Sequence, residues 1–166
     1  MDLDQAVVIA LGSNLPGRHG SSEALLDAAL ARFADVGLRV LKRSSWWRSA
    51  AWPDPLQPEY RNGVAIVETD QPPEAVMAGL LILEAALDRK RTARNAPRTL
   101  DLDLIAFGRE LRQDPGLILP HPRAHQRRFV MGPLAEIAPR WVHPVSGETA
   151  ASLARTATIG TDVSPT

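Results

Sequence analysis

The sequence predicts an α+β fold of the ferredoxin-like kind: a βαββαβ antiparallel sheet with helices on one face and a C-terminal helical extension. Three observations predict it. Short apolar segments and segments of helical period follow one another in the order β-α-β-β-α-β. Glycine, proline and polar turn residues punctuate the joints between them. At 166 residues and 45% hydrophobic, the chain has enough apolar surface for one core and is not composed like a disordered segment.

The elements follow in order. Ala6-Val7-Val8-Ile9-Ala10-Leu11 is a short apolar strand ending at Gly12, and Gly12 to Gly17 has loop chemistry. Ser21 or Ser22 caps a helix expected to run to about Asp35, with Leu25, Leu26, Ala29, Leu30 and Phe33 on one face and Gly37 as its left-handed stop. Leu38 to Ser49 reads as a second strand and is followed by a proline-rich loop with Pro53, Pro55 and Pro58. Tyr60 to Thr69 reads as a third strand. Asp70-Gln71-Pro72-Pro73 opens a helix whose buried stripe is Val76, Leu80, Leu83 and Leu87. Arg89 to Arg98 is a basic loop, and Thr99 to Phe107 is a strictly alternating fourth strand. Phe129 to Ile137 reads as a short helix. The domain is expected over residues 1–148, with 149–166, rich in Ala, Thr and Ser, as a flexible tail.

Lys plus Arg and Asp plus Glu are equal at 19 each, so bulk charge draws the chain to neither nucleic acid nor an anionic membrane. There is no cysteine, which removes disulfides, thiolate metal ligands and cysteine nucleophiles. Met1 to Gln5 is acidic and the apolar run after it is short, unlike a signal peptide. No stretch reaches the roughly 20 apolar residues of a membrane span. A soluble, cytoplasmic, monomeric protein is expected.

The chemistry concentrates at Arg98-Thr99-Leu100-Asp101-Leu102-Asp103-Leu104. On a strand, alternate residues share a face, so Leu100, Leu102 and Leu104 face the helices while Asp101 and Asp103 point outward together, Cα atoms about 7 Å apart. Two carboxylates so placed repel, and a divalent cation with a taste for hard oxygen removes that cost. A solvated strand face gives the same alternation. Arg89, Lys90, Arg91, Arg94 and Arg98 precede the strand, and His121, Arg123, His125, Arg127 and Arg128 follow it. Either run alone reads as a solvated face. Carboxylates for magnesium beside guanidinium groups for phosphate oxygens is the arrangement of phosphoryl transfer. There is no Gly-x-x-x-x-Gly-Lys-Ser/Thr loop, so this is not a P-loop enzyme. Trp46, Trp47, Trp52, Tyr60 and Phe129 are most of a small aromatic set. With Asn62 on the face of Tyr60, they suit a flat, hydrogen-bonding heterocycle, although core packing is the better reading of Trp46 or Trp47.

Five stretches stand in this order: Ala10-Leu11-Gly12-Ser13-Asn14-Leu15, Tyr60-Arg61-Asn62, Leu87-Asp88-Arg89-Lys90-Arg91, Pro97-Arg98-Thr99-Leu100-Asp101-Leu102-Asp103, and Leu119-Pro120-His121-Pro122-Arg123 to Phe129. Together, over about residues 6 to 140, they resemble the 6-hydroxymethyl-7,8-dihydropterin pyrophosphokinase family, the fourth stretch most specifically. The resemblance implies transfer of pyrophosphate from ATP to the pterin hydroxymethyl group, giving AMP, in folate synthesis. It implies that Asp101 and Asp103 bind two magnesium ions and that Arg89, Arg91 and Arg98 neutralise phosphate charge. It puts Glu84, His121 and Arg127 on the nucleotide. Tyr60 and Phe129 would sandwich the pterin, Asn62 would read its edge, and Ser49, Ala50 and Trp52 would line its pocket. Where many members have Leu-Gly-Arg this chain has Leu87-Asp88-Arg89. The tryptophan that many carry before Pro-Arg is missing near Asn95-Ala96, in a loop expected to act as a lid. Pro122 replaces a tyrosine of some relatives.

Two other readings compete. A nucleotidyl transferase would share the carboxylate pair but not the aromatic pocket. An RNA-recognition module would share the element order, but its aromatic-glycine consensus is missing and an aspartate face repels phosphate unless metal is bound.

Overall fold

A computed structural model describes residues 1–14, 20–50, 58–87 and 100–166. Its elements are β1 (Val7–Ser13), α1 (Ser22–Ala31), β2 (Arg39–Arg43), β3 (Trp47–Ser49), β4 (Tyr60–Glu68), α2 (Pro73–Leu87), β5 (Asp101–Phe107), β6 (Arg112–Asp114), β7 (Leu117–Leu119), α3 (Arg128–Ile137), α4 (Ala150–Thr156) and β8 (Ser164–Pro165). The main sheet runs β5-β1-β4-β3-β8, with β2 also on β4, and its pairings are antiparallel. β6 and β7 form a separate hairpin. Among the described residues, no helix is long and apolar enough to cross a membrane.

Local chemistry explains the helices. The Ser21 hydroxyl caps α1 by accepting from the Ala24 N–H at 3.0 Å, and Leu25, Leu26 and Ala29 are buried. The helix ends at Ala31, earlier than its periodicity predicts. A 3-10 turn over Phe33–Val36 carries the pattern on to Gly37, whose φ of 78° suits the residue type. Pro73 opens α2. Gly79 lets α2 lie against Val36, since a Cβ there would sit 2.9 Å from the Val36 side chain.

The sheet is buried on both faces, which corrects the expectation of helices on one face alone. Val7, Ile9 and Leu11 of β1, with Ala65 and Val67 of β4, pack under α1 and α2 in one core. Val8 and Ala10, with Val64 and Ile66, pack under α3 and α4 in a second core that also holds Trp141. A strand buried on both sides must be apolar at consecutive positions rather than alternate ones, as Val7 to Leu11 and Val64 to Val67 are.

The expected second strand is broken into β2 and β3. Ser44, between them, pairs with Val64 twice at 2.9 Å: its backbone N–H donates to the Val64 carbonyl, and its hydroxyl oxygen accepts from the Val64 N–H. Trp46 then turns into the first core over Gly63, where a Cβ would lie only 2.4 Å from the indole. Residues 149–166, expected as a flexible tail, contain α4, capped by the Thr149 hydroxyl, and end in β8 beside β3. The β6–β7 hairpin was not foreseen. Arg112 ties it to α2 by an ion pair with Glu74, and to itself through Glu110 at 2.9 Å and Asp114 at 2.7 Å.

Candidate active site

The site forms where β5, β1 and β4 meet at the end of the sheet nearest the start of α3. Leu100, Leu102 and Leu104 are buried in the first core, as the alternation predicts, so Asp101 and Asp103 share the opposite face. Register then fixes a row across the sheet: Asp101 lies opposite Gly12, Gly12 opposite Asn62, and Asn62 opposite Trp47. Gly12 keeps the row tight, since a Cβ there would approach the Asn62 side-chain amide oxygen, Oδ1, to 3.3 Å.

Asn62 is 6% exposed and Ser49 5%, and the Asn62 amide donates to the Ser49 hydroxyl at 3.1 Å. Tyr60 stands opposite Ser49 in the ladder. Burial pushes the Tyr60 phenol pKa up, and the negative charge of Asp101 adds to the shift. Tyr60 and the first carboxylate therefore share one electrostatic neighbourhood.

The second carboxylate, Asp103, lies on the same strand face and acts on His121. The His121 backbone N–H donates to the Ile105 carbonyl at 2.8 Å, seating the segment after β7 on β5. Its ring Nδ1 accepts from the Arg123 N–H at 3.1 Å, which assigns the remaining proton to Nε2. Burial lowers the His121 pKa. Asp103 works against that shift, and the charges of Arg127 and Arg123 work with it. The Arg127 guanidinium lies 5.7 Å from the centre of the Phe129 ring.

A cleft of about 300 Å³ opens beside the carboxylates, between α2, β5 and the β6–β7 hairpin. Glu84, Asp101, Asp103 and His121 are its polar lining, and Leu80 and Leu117 are among its apolar walls. Glu84, 8% exposed, accepts from the Leu102 N–H at 2.8 Å, so its carboxylate is fixed between the two aspartates along the strand. The cleft's hairpin wall was not identified in the sequence; the Pro115-Gly116 turn was its only signal.

The structure thus gathers Glu84, Asp101, Asp103 and His121 on the cleft, and Tyr60, Asn62 and Ser49 on β4 and β3, across β1 from Asp101. Arg127 and Phe129 lead into α3, and Ala50 follows Ser49. Trp46 is a core residue. Trp47 packs over Gly132 of α3 and donates through its indole N–H to Glu136 at 2.8 Å. Arg89, Arg91, Arg98, the Asn95-Ala96 loop expected to act as a lid, and Trp52 lie outside the described residues.

Residues 8–139 match the model of the 7,8-dihydro-6-hydroxymethylpterin-pyrophosphokinase family. The chain is 42% identical over 143 residues to a Synechocystis 2-amino-4-hydroxy-6-hydroxymethyldihydropteridine pyrophosphokinase, covering 86% of this chain and 71% of that one. It is 37% identical over 142 residues to the Methylorubrum extorquens protein of the same name, covering 85% and 86%. A crystal structure of Plasmodium falciparum HPPK-DHPS with pteroate shares the fold at a TM-score of 0.70 and 11% identity, over 90% of this chain and 44% of that one. The chain belongs to this family, whose members are pyrophosphokinases of folate synthesis that use ATP as co-substrate.

Proposed function

We propose that this chain transfers pyrophosphate from ATP to the hydroxymethyl group of 6-hydroxymethyl-7,8-dihydropterin, with Asp101 and Asp103 at the centre of the reaction. One observation carries the reading. The two carboxylates share a strand face, with Tyr60 in the electrostatic reach of Asp101 and His121 in that of Asp103. A pterin side and a nucleotide side then meet at one pair of acids.

The donor set fits magnesium. Among the described residues no third His, Asp or Glu completes a metal cluster with the pair. Two carboxylates on one strand face suit a hard cation that shares the rest of its shell with phosphate oxygens and water. Two magnesium ions held by Asp101 and Asp103 supply, when bound, neutralisation of the triphosphate charge that builds during displacement.

The pterin hydroxymethyl oxygen attacks the β-phosphorus in line. The bond from that phosphorus to the oxygen it shares with the α-phosphorus breaks, AMP leaves with that oxygen, and the hydroxyl proton passes to water. Tyr60 and Phe129 hold the pterin between their rings while Asn62 reads its edge, and Ser49, Ala50 and Trp52 complete the pocket. Glu84, His121 and Arg127 seat the nucleotide, and Arg89, Arg91 and Arg98 neutralise its phosphates. Positioning and electrostatics supply most of the acceleration without a dedicated general base. The scaffold reads as ferredoxin-like, with β2 and β3 together as its second strand. The reaction needs a single chain, no nucleic acid and no membrane, and goes with a cytoplasmic setting where ATP is available.

Incubation with ATP, magnesium and the hydroxymethyl-dihydropterin tests the proposal. AMP and a pterin diphosphate should accumulate in equal amounts. Release of ADP, or no turnover, rejects it.

A further inference from the structure

We propose that residues 157–166 form a brace for the pterin pocket, with Gly160 positioning Phe129 and Asp162 positioning Ala50. The inference rests on the reading of Phe129 and Ala50 as pocket residues and adds two positioning residues to it.

After α4 the chain doubles back across the start of α3. The Ile159 N–H donates to the Gln126 carbonyl at 2.9 Å, and the Arg128 N–H donates to the Ile159 carbonyl at 2.8 Å, a parallel bridge around Arg127. The Arg128 guanidinium donates to three further carbonyls of the returning chain: Ala154 at 3.0 Å, Arg155 at 3.1 Å and Thr161 at 3.3 Å. A planar fork of donors suits that task, and two of its acceptors are carbonyls of the last turn of α4. The segment is thereby fixed at its near end.

Gly160 follows, with φ of 72°, a conformation that L side chains rarely adopt. A Cβ there would stand 2.6 Å from Cδ1 of Phe129, so the ring rests directly on this glycine. Two residues later Asp162 accepts from the Ala50 N–H at 2.7 Å. Beyond it, β8 pairs with Trp47 and Arg48, and the Thr166 hydroxyl donates to the Trp46 carbonyl at 2.7 Å. One short segment therefore holds both walls: the aromatic at the head of α3 and the backbone that leaves β3. The Ala50 clamp also reaches Asn62, because Ser49 accepts from its amide.

The brace acts through other residues, so its loss should move pterin affinity and leave ATP alone. In the full chain, we would compare Asp162→Ala, Asp162→Asn, Gly160→Ala and Phe129→Ala. The readouts are equilibrium binding of the pterin, KM for ATP, and melting temperature. Asp162→Ala removes a charge-assisted hydrogen bond and should weaken pterin binding about tenfold with KM for ATP unchanged. Asp162→Asn keeps an acceptor and should restore most of the affinity. Gly160→Ala should weaken pterin binding by a similar factor, because the ring must shift. If Phe129→Ala weakens pterin while Asp162→Ala and Gly160→Ala bind as the parent does, the brace is overturned. Parallel losses of pterin and ATP without rescue by Asp162→Asn overturn it as well, since general loosening then explains them. If Phe129→Ala also binds normally, the pocket reading falls, and the brace with it.

Discussion

The Glu84 carboxylate and the Leu102 backbone N–H are joined at 2.8 Å across the boundary between α2 and β5, at the one position flanked on both sides by the candidate metal ligands. Glu84 is buried, so its loss leaves a strand N–H without its partner. Glu84→Ala should lower unfolding stability by about 2 kcal/mol and reduce turnover, whereas Glu84→Gln, which keeps an acceptor oxygen, should recover most of the stability. Denaturant titration beside steady-state kinetics separates the two effects.

The carboxylate pair makes a sharper demand. Asp101→Ala or Asp103→Ala should cut turnover by about a hundredfold or more while the pterin still binds, because each removes charge stabilisation at the transferring phosphorus. Single-turnover rates with a parallel pterin-binding titration check it. Parent-like turnover in either variant would remove the metal role.

Tyr60→Ala and Phe129→Ala should each weaken pterin binding by roughly tenfold, the scale of an aromatic contact with its buried area. Tyr60→Phe should bind nearly as the parent does, since stacking needs the ring and not the hydroxyl. Equilibrium titration with the pterin alone decides the matter.

Glu136 gives the fold a dependence on acidity remote from catalysis. Burial acts to raise its pKa. Hydrogen bonds from the Ser45 hydroxyl at 2.6 Å, the Ser45 N–H and the Trp47 indole at 2.8 Å, with the charge of Arg43, outweigh burial and hold it below the ordinary 4.5. A carboxyl lowered by folding contributes stability above its unfolded value, and the contribution is lost as pH falls through the folded one. The denaturation midpoint should therefore drop as the pH falls below the ordinary 4.5, and Glu136→Gln should flatten that part of the profile.

Much of this architecture is legible in the chain. The Leu100-Asp101-Leu102-Asp103-Leu104 alternation gives both the buried face and the shared carboxylate face, because a strand has a period of two. Ser21, Gly37 and Pro73 mark helix ends for reasons that need no tertiary context. The second core was the larger omission. Consecutive apolar residues at Val7 to Leu11 already require cover on both faces, but pattern alone does not say which later helix supplies it. The C-terminal segment was misread because α4 offers only Ala150 and Leu153 as buried anchors. What orders the rest is Arg128 and Asp162, whose acceptors and donors are backbone groups brought close only by folding. The break between β2 and β3 escaped for a similar reason: Gly63 makes room for Trp46 from the neighbouring strand, and nothing within Leu38 to Ser49 announces it.

The two-sided burial of β1 has a consequence for biosynthesis. Val7 pairs with Val67 on one flank and with Phe107 on the other. As the polypeptide leaves the ribosome, this doubly buried strand emerges before its partners and is completed late, after β4, α2 and β5 have appeared in turn. Until then its sticky surfaces depend on chaperone shielding or on a provisional hairpin with β4. Substitutions that weaken β5 should therefore lower soluble yield in the cell more than they lower the melting temperature of the purified enzyme.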